Sequence, residues 1–280
     1  MAYDGHWQAD LPHGRGRMEF ADGSTYDGEW RQGRQEGRGR GTWPAAPGTA
    51  SDGVPDEWFA PHGRVALDEG FKLVGYEGDW LANLPHGHGT ARFSNGAVFA
   101  GSFAFGHVQG PGELTAQSAA DGATHRDGGA RLRGAGGRLS LVAVGNWREG
   151  ALHDAAALWK LDSALGGPVE TYNGPFVSGL REGEGATVEL ADGSHYEGPY
   201  RSGRRNGIGQ CRYANKDIFR GKFVADKRSG KGSLLRANGD VYVGCFENDE
   251  LSGPGLLRKA ATLTETHGTW RSGKLIADSK

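Results

Sequence analysis

A phrase recurs through this chain about every 23 residues: an aromatic, glycine two positions on, a second aromatic at four, then glycines at eleven and thirteen. The first copy reads Tyr3, Gly5, Trp7, Gly14, Gly16 and closes on Phe20 with the turn pair Asp22-Gly23. The second reads Tyr26, Gly28, Trp30, Gly37, Gly39 and Trp43, with identical offsets. Further copies open at Tyr76, Phe99, Tyr172, Tyr196, Phe219 and Tyr242, and partial ones stand at Gly145-Asn146-Trp147, ending near Trp159, and at Gly268-Thr269-Trp270. A fixed period of this size specifies a repeat architecture, so function is to be sought on an extended surface rather than in one active site.

The Tyr-x-Gly-x-Trp opening followed by spaced glycines resembles the MORN repeat family (membrane occupation and recognition nexus), over nearly the whole chain from Tyr3 to about Gly273. The resemblance implies an all-β fold: an elongated single-layer solenoid or ribbon of consecutive antiparallel β-hairpins, one per ~23-residue repeat. The residues support this independently. Side chains alternate along a strand, so offsets zero, two and four share a face, as do Gly14, Gly16, Met18 and Phe20 on the return. Each glycine leaves a gap beside an aromatic, into which the ring of the next repeat is expected to lie. The segments Ala21–Gly23, Ser94–Gly96, Ala191–Gly193 and Ala237–Gly239 suit tight turns. Offset four carries a row of rings: Trp7, Trp30, Trp80, Phe103, Trp147, Phe176, Tyr200, Phe223, Phe246 and Trp270.

Glycine supplies 50 of the 280 residues, a richness that by itself suggests disorder, but aromatics at a fixed period argue for order. At about 4.8 Å per strand, ten hairpins span on the order of 90–100 Å, a useful length for a spacer. The formal net charge of -2 gives no general affinity for nucleic acid or anionic membranes. Cys211 and Cys245 stand at different repeat offsets, which speaks for a reducing compartment over a disulfide framework. No apolar run has the length of a membrane span or signal peptide, so a soluble, cytoplasmic protein is expected.

The array divides into repeats over residues 1–43, a Pro-rich insert over 44–75, repeats over 76–115, a Gly/Ala-rich flexible loop over 116–142, a degenerate repeat over 143–171, and repeats with a C-terminal half-repeat over 172–280. The segment Ala151 to Leu165 reads equally as a short helix or as a degenerate repeat. In the first insert Trp58 and Phe59 either fold back on the array or form a plug that docks a partner.

Chemistry-bearing motifs are few. The run Gly37-Arg38-Gly39-Arg40-Gly41 falls in register with the repeat, and the Gly-x-Gly pairs precede no helix that would aim amides at a phosphate. His13 and His86 have no recurring carboxylate or thiol at ligand spacing. Acidic residues such as Glu29, Asp79 and Glu197 occupy exposed repeat positions without a cleft to tune them. No enzyme activity, cofactor or metal is therefore expected.

The family resemblance implies instead a structural interaction module, similar in organisation to the radial-spoke-head MORN proteins of cilia and flagella. The expected role is a scaffold in a cytoskeletal assembly, the axoneme foremost, with protein partners and possible self-association and no nucleic acid. Alternatives are lipid association through Arg31, Arg34, Arg38 and Arg40 or Arg201, Arg204 and Arg205, and an accessory subunit that positions an enzyme. Terminal repeats lack a stacking neighbour, so Tyr3, Trp7 and Trp270 join Trp58 and Phe59 as candidate partner-binding residues, either exposed or capped by a partner.

Overall fold

The computed structural model describes residues 1–44, 72–94, 96–117, 139–163 and 168–278, and Trp58 and Phe59 lie outside them. The described residues form one antiparallel sheet of 23 strands. Sequential pairing makes them ten hairpins: Ala2–Gln8 with Leu11–Glu19, Thr25–Arg31 with Arg34–Thr42, Leu73–Leu81 with Leu84–Phe93, and Val98–Ala104 with His107–Gln117. Leu139–Arg148 then pairs with Ala151–Leu152 and Asp154–Ser163, Pro168–Val177 with Leu180–Arg181 and Gly183–Leu190, and His195–Arg201 with Arg204–Arg205 and Gly207–Arg212. Ile218–Val224 with Lys227–Leu235, Val241–Glu247 with Glu250–Arg258, and Glu265–Arg271 with Lys274–Asp278 complete the array.

The inserts do not interrupt the sheet. Arg34–Thr42 pairs directly with Leu73–Leu81, setting Gly39 opposite Gly78 across the first insert. His107–Gln117 pairs with Leu139–Arg148 across the second, so Gln117 and Leu139–Val142 are ladder residues and the expected loop of 116–142 is narrower at both ends. Of Ala151–Leu165, which the sequence left undecided, the described part is strand over Ala151–Leu152 and Asp154–Ser163 and not helix.

Each hairpin closes through two residues that both have positive φ, from Ala9 (49°) and Asp10 (59°) in the first to Ser272 (49°) and Gly273 (76°) in the last. Such loops match the right-handed twist of the flanking strands. Sequence reasoning located the other turns, between hairpins, where Gly23, Gly96, Gly193 and Gly239 have φ of 81–87°. It missed the hairpin tips, because non-glycine residues such as Ala82, Phe105 and Ala225 occupy their first left-handed position.

The two return-strand glycines have different tasks. The one at offset eleven has positive φ in all eight clear copies, as in Gly14 (68°), Gly87 (61°) and Gly230 (66°). There the return strand bulges: Gly5 faces Gly16 but Trp7 faces Pro12. The one at offset thirteen provides space, except in the Tyr172 repeat, where Gly185 has φ of 74° with nothing near a Cβ and Ala186 stands beside Gly174 instead. A Cβ on Gly39 would stand 2.3 Å from the Tyr26 hydroxyl, and one on Gly28 would stand 2.4 Å from the Gly39 Cα. The ring over the glycine pair thus belongs to the same repeat, not, as the spacing suggested, to the next.

What the next repeat contributes is its offset-four ring. Tyr3 packs edge-on against Trp7 of its own hairpin (centroids 5.0 Å apart) and against Trp30 of the following one (5.5 Å). The alternation runs through Tyr26, Trp80, Tyr76, Phe103 and Phe99 to Trp147, and again from Phe176 through Tyr172, Tyr200, Tyr196, Phe223, Phe219, Phe246 and Tyr242 to Trp270. Each such pair contributes about 0.5–1.5 kcal/mol beyond the area it buries. This ladder is the core of a single-layer sheet.

Between the two runs, the fifth hairpin has Ala143 where the opening aromatic should stand. Its place is filled from both sides. Trp159, opposite Ala143 and Tyr172 in register, is buried, and the Arg181 guanidinium lies 4.6 Å from its ring and 4.4 Å from that of Tyr172. Arg181 is itself buried and paired with buried Glu170 at 2.6 Å.

Candidate protein-interaction surface

Because the rings and glycines share one face, offsets one, three, twelve and fourteen lie on the other. Glycines at offsets two and thirteen form an unbroken register line, Gly5–Gly16–Gly28–Gly39–Gly78–Gly89–Gly101–Gly112–Gly145, across the first nine strands. A second line runs Gly209–Gly221–Gly232–Gly244–Gly255–Gly268. On the outer face the backbone of these glycines floors a shallow trough, walled by the offset-one, -twelve and -fourteen residues.

The wall changes character along the sheet. Near the N-terminus one register row alternates in charge: Asp4, Arg17, Asp27, Arg40, Glu77. Beside it Arg38 pairs with Asp79 at 3.2 Å. Opposite charges facing across strands stabilise the sheet and neutralise one another. The same row turns apolar at Val144 and Leu158, adjacent in register and both more than a third exposed. Around the second glycine line stand Ile208 (72% exposed), Val243 (51%) and Pro254, with Arg220 and Lys231 among them. Ile208 and Val243 stand exposed at the offsets that Arg15 and Asp4 occupy in the first repeat. Sequence reasoning passed over these residues, although the exchange of charge for Ile or Val at offsets one and twelve was visible there.

The residues singled out from sequence separate. Trp7 is 58% exposed and Tyr3 half-buried, both on the open edge of the sheet. Trp270 is a correction: it is buried at 4% exposure, packed on Tyr242 at 5.2 Å, and the chain itself closes that end of the ladder because Thr266 stands where an opening aromatic would continue it. Members of both basic clusters are ion-paired, Arg31 at the surface and Arg205 part-buried. Arg31 pairs with Glu36, while Arg205 bonds the Asp226 carboxylate and carbonyl and lies 5.2 Å from the Phe223 ring.

Burial pushes the phenols of Tyr76 and Tyr200 up to about 12, which keeps them neutral core groups. Burial likewise raises the Cys211 thiol. Among the described residues no three His, Cys, Asp or Glu are grouped to hold a metal ion, and no helix is long and apolar enough to cross a membrane.

A comparison with curated proteins found none that matches this chain. The family comparison matches residues 3–25, 26–45, 76–98, 196–218, 219–241 and 242–260, each to the MORN repeat. Six matched copies on a continuous hairpin sheet make this chain a member of the MORN-repeat family.

Proposed function

We propose that this chain is a non-enzymatic scaffold that docks protein partners along its outer trough within a cytoskeletal assembly, the axoneme of cilia and flagella foremost. MORN repeats are in general modules of protein or membrane interaction. The observation that favours protein is the outer wall: exposed Ile208 and Val243 lie beside a backbone-floored trough. Arg38 and Arg205, central to the candidate basic clusters, are already engaged with Asp79 and Asp226. A lipid surface would require those cations free; an extended partner segment requires apolar contacts, which Ile208, Val243 and Pro254 offer around this trough.

The test is extraction of ciliated cells with non-ionic detergent, following a tagged chain and its Ile208→Glu/Val243→Glu variant. Retention of the parent on the demembranated axoneme, with release of the variant, is expected. Departure of both with the membrane fraction would replace this reading by the lipid one. A diffuse, fully soluble signal would replace it by an accessory subunit.

A further inference from the structure

Among the described residues the Ala2–Gln8 strand pairs on one side only, with Leu11–Glu19, and its chemistry is self-complementary. Gln8 and Leu11 close the hairpin turn, so their N–H and C=O groups face inward. Strand alternation then directs those of Trp7, Gly5 and Tyr3 toward the open edge. Natural sheets blunt such edges with lysine, proline or a short strand. This one has seven residues, Ala-Tyr-Asp-Gly-His-Trp-Gln, with neither lysine nor proline.

The exposed ring has a defined unmet requirement. Trp30 and Trp80, at the same offset, each pack on the preceding hairpin's tyrosine and donate the indole N–H to a glycine carbonyl at 3.0 Å. Among the described residues Trp7 has only its own Tyr3 as a ring partner, remains 58% exposed, and its indole N–H has no acceptor. The opposite edge is different: Lys274–Asp278 is shorter and contains a lysine, and the last ladder ring, Trp270, is already buried.

We propose that two copies of this chain associate head to head through Ala2–Gln8, as antiparallel strands related by a two-fold axis at Gly5. This register sets Tyr3 of each copy opposite Trp7 of the other, an aromatic cross-strand pair on the ring face. It also sets Asp4 opposite His6, an acid against an imidazole, on the outer face. Ala2 meets Gln8, and Gly5 meets Gly5 with no side chain between, which extends the glycine line across the axis. The interface is isologous and closed, so it yields a dimer and not a fibre. One seven-residue strand pair is a small contact, and dissociation on the order of micromolar is expected.

Sedimentation of the whole chain over a concentration series tests this. A monomer–dimer equilibrium is expected, weakened at least tenfold by Trp7→Ala and by Asp4→Lys, which sets a cation against His6. The double variant Asp4→Lys/His6→Asp restores the opposed charges and is expected to recover the dimer, which excludes misfolding as the cause of the loss. Ile276→Lys, at the far edge, is expected to leave it intact. A monomer at every concentration would overturn the proposal. So would a dimer that survives Trp7→Ala and Asp4→Lys, or one lost on Ile276→Lys, which would locate the contact at the other end.

Discussion

The indole N–H of Trp30 donates to the carbonyl of Gly16, in the preceding hairpin, at 3.0 Å. Trp80 repeats this with Gly39 at 3.0 Å and Trp147 with Gly112 at 3.2 Å. In each case the ring that packs on the preceding tyrosine or phenylalanine also ties its hairpin to the carbonyl beside it. Phe103, Phe176, Phe223 and Phe246 occupy the same offset without a donor. The two contributions are therefore separable. Trp30→Phe is expected to cost about 1 kcal/mol, the worth of one hydrogen bond. Trp30→Ala is expected to cost about 3–5 kcal/mol. Trp7→Ala, at an exposed ring, should cost well under either. Chemical denaturation of the three variants orders them, and equal losses for Trp7→Ala and Trp30→Ala would show that the ladder does not carry the stability.

Gly230 and Gly232 stand two residues apart and should fail differently. Gly230 has φ of 66° and its nearest neighbour is the flexible Lys222 side chain, 3.6 Å from where a Cβ would be. Asparagine tolerates that backbone, so Gly230→Asn should cost about 1 kcal/mol or less. Gly232 has no positive φ, yet a Cβ there would lie 2.6 Å from the Phe219 ring, which is fully buried. Gly232→Asn should displace that ring and cost several kcal/mol, comparable to losing a core aromatic. Thermal unfolding measures the difference; similar midpoints for the two would refute the division of labour.

That division also explains what was legible in the sequence. The period, the ring row at offset four and the hairpin ribbon all follow from residues with one role each. Trp30 or Phe223 at a fixed place in a two-residue alternation can only be core. The glycines carried two roles under one letter, backbone conformation and vacated space, so their spacing gave their importance without their tasks. Trp159 and Arg181 were not legible because they replace a missing ring at Ala143 from other strands, and only the pairing register brings them together. The outer wall was missed for a related reason. Attention to the aromatic face leaves Ile208 and Val243 as single exposed residues, and only the register shows them flanking the same trough.

Glu170 and Arg181 form a buried pair at 2.6 Å, and one guanidinium nitrogen, Nη2 of Arg181, has no hydrogen-bond partner among the described residues. A buried charge whose partner is removed remains unpaid for in solvation. Glu170→Ala is accordingly expected to destabilise by about 3–5 kcal/mol. The double variant Glu170→Leu/Arg181→Met, which removes both charges and keeps an unbranched side chain over Trp159 and Tyr172, should recover most of that loss. Denaturant titration of the set decides: a double variant as unstable as Glu170→Ala would mean that the cation over the two rings, not charge balance, is what the site requires.

The buried phenols make the sheet sensitive to alkali. An unfolded tyrosine titrates near pH ~10, whereas burial, the largest cause, pushes Tyr76 and Tyr200 up to about 12. Between these values the native state holds protons that the unfolded state releases. Their stabilising effect is complete below pH ~10 and is lost as pH rises through about 12, amounting to about 2–3 kcal/mol for each phenol. Tyr76 donates to the carbonyls of Asp79 and His86 at 3.0 and 3.2 Å, and Phe99 and Phe219 fill the same offset in other hairpins. Tyr76→Phe should thus fold with a loss of about 1 kcal/mol at neutral pH and should lose less stability than the parent between pH ~10 and ~12. Tyrosinate absorbance followed together with circular dichroism through that range is the measurement. Ionisation of every tyrosine before any loss of strand signal would contradict it, because it would mean that the ladder admits charged phenols without opening.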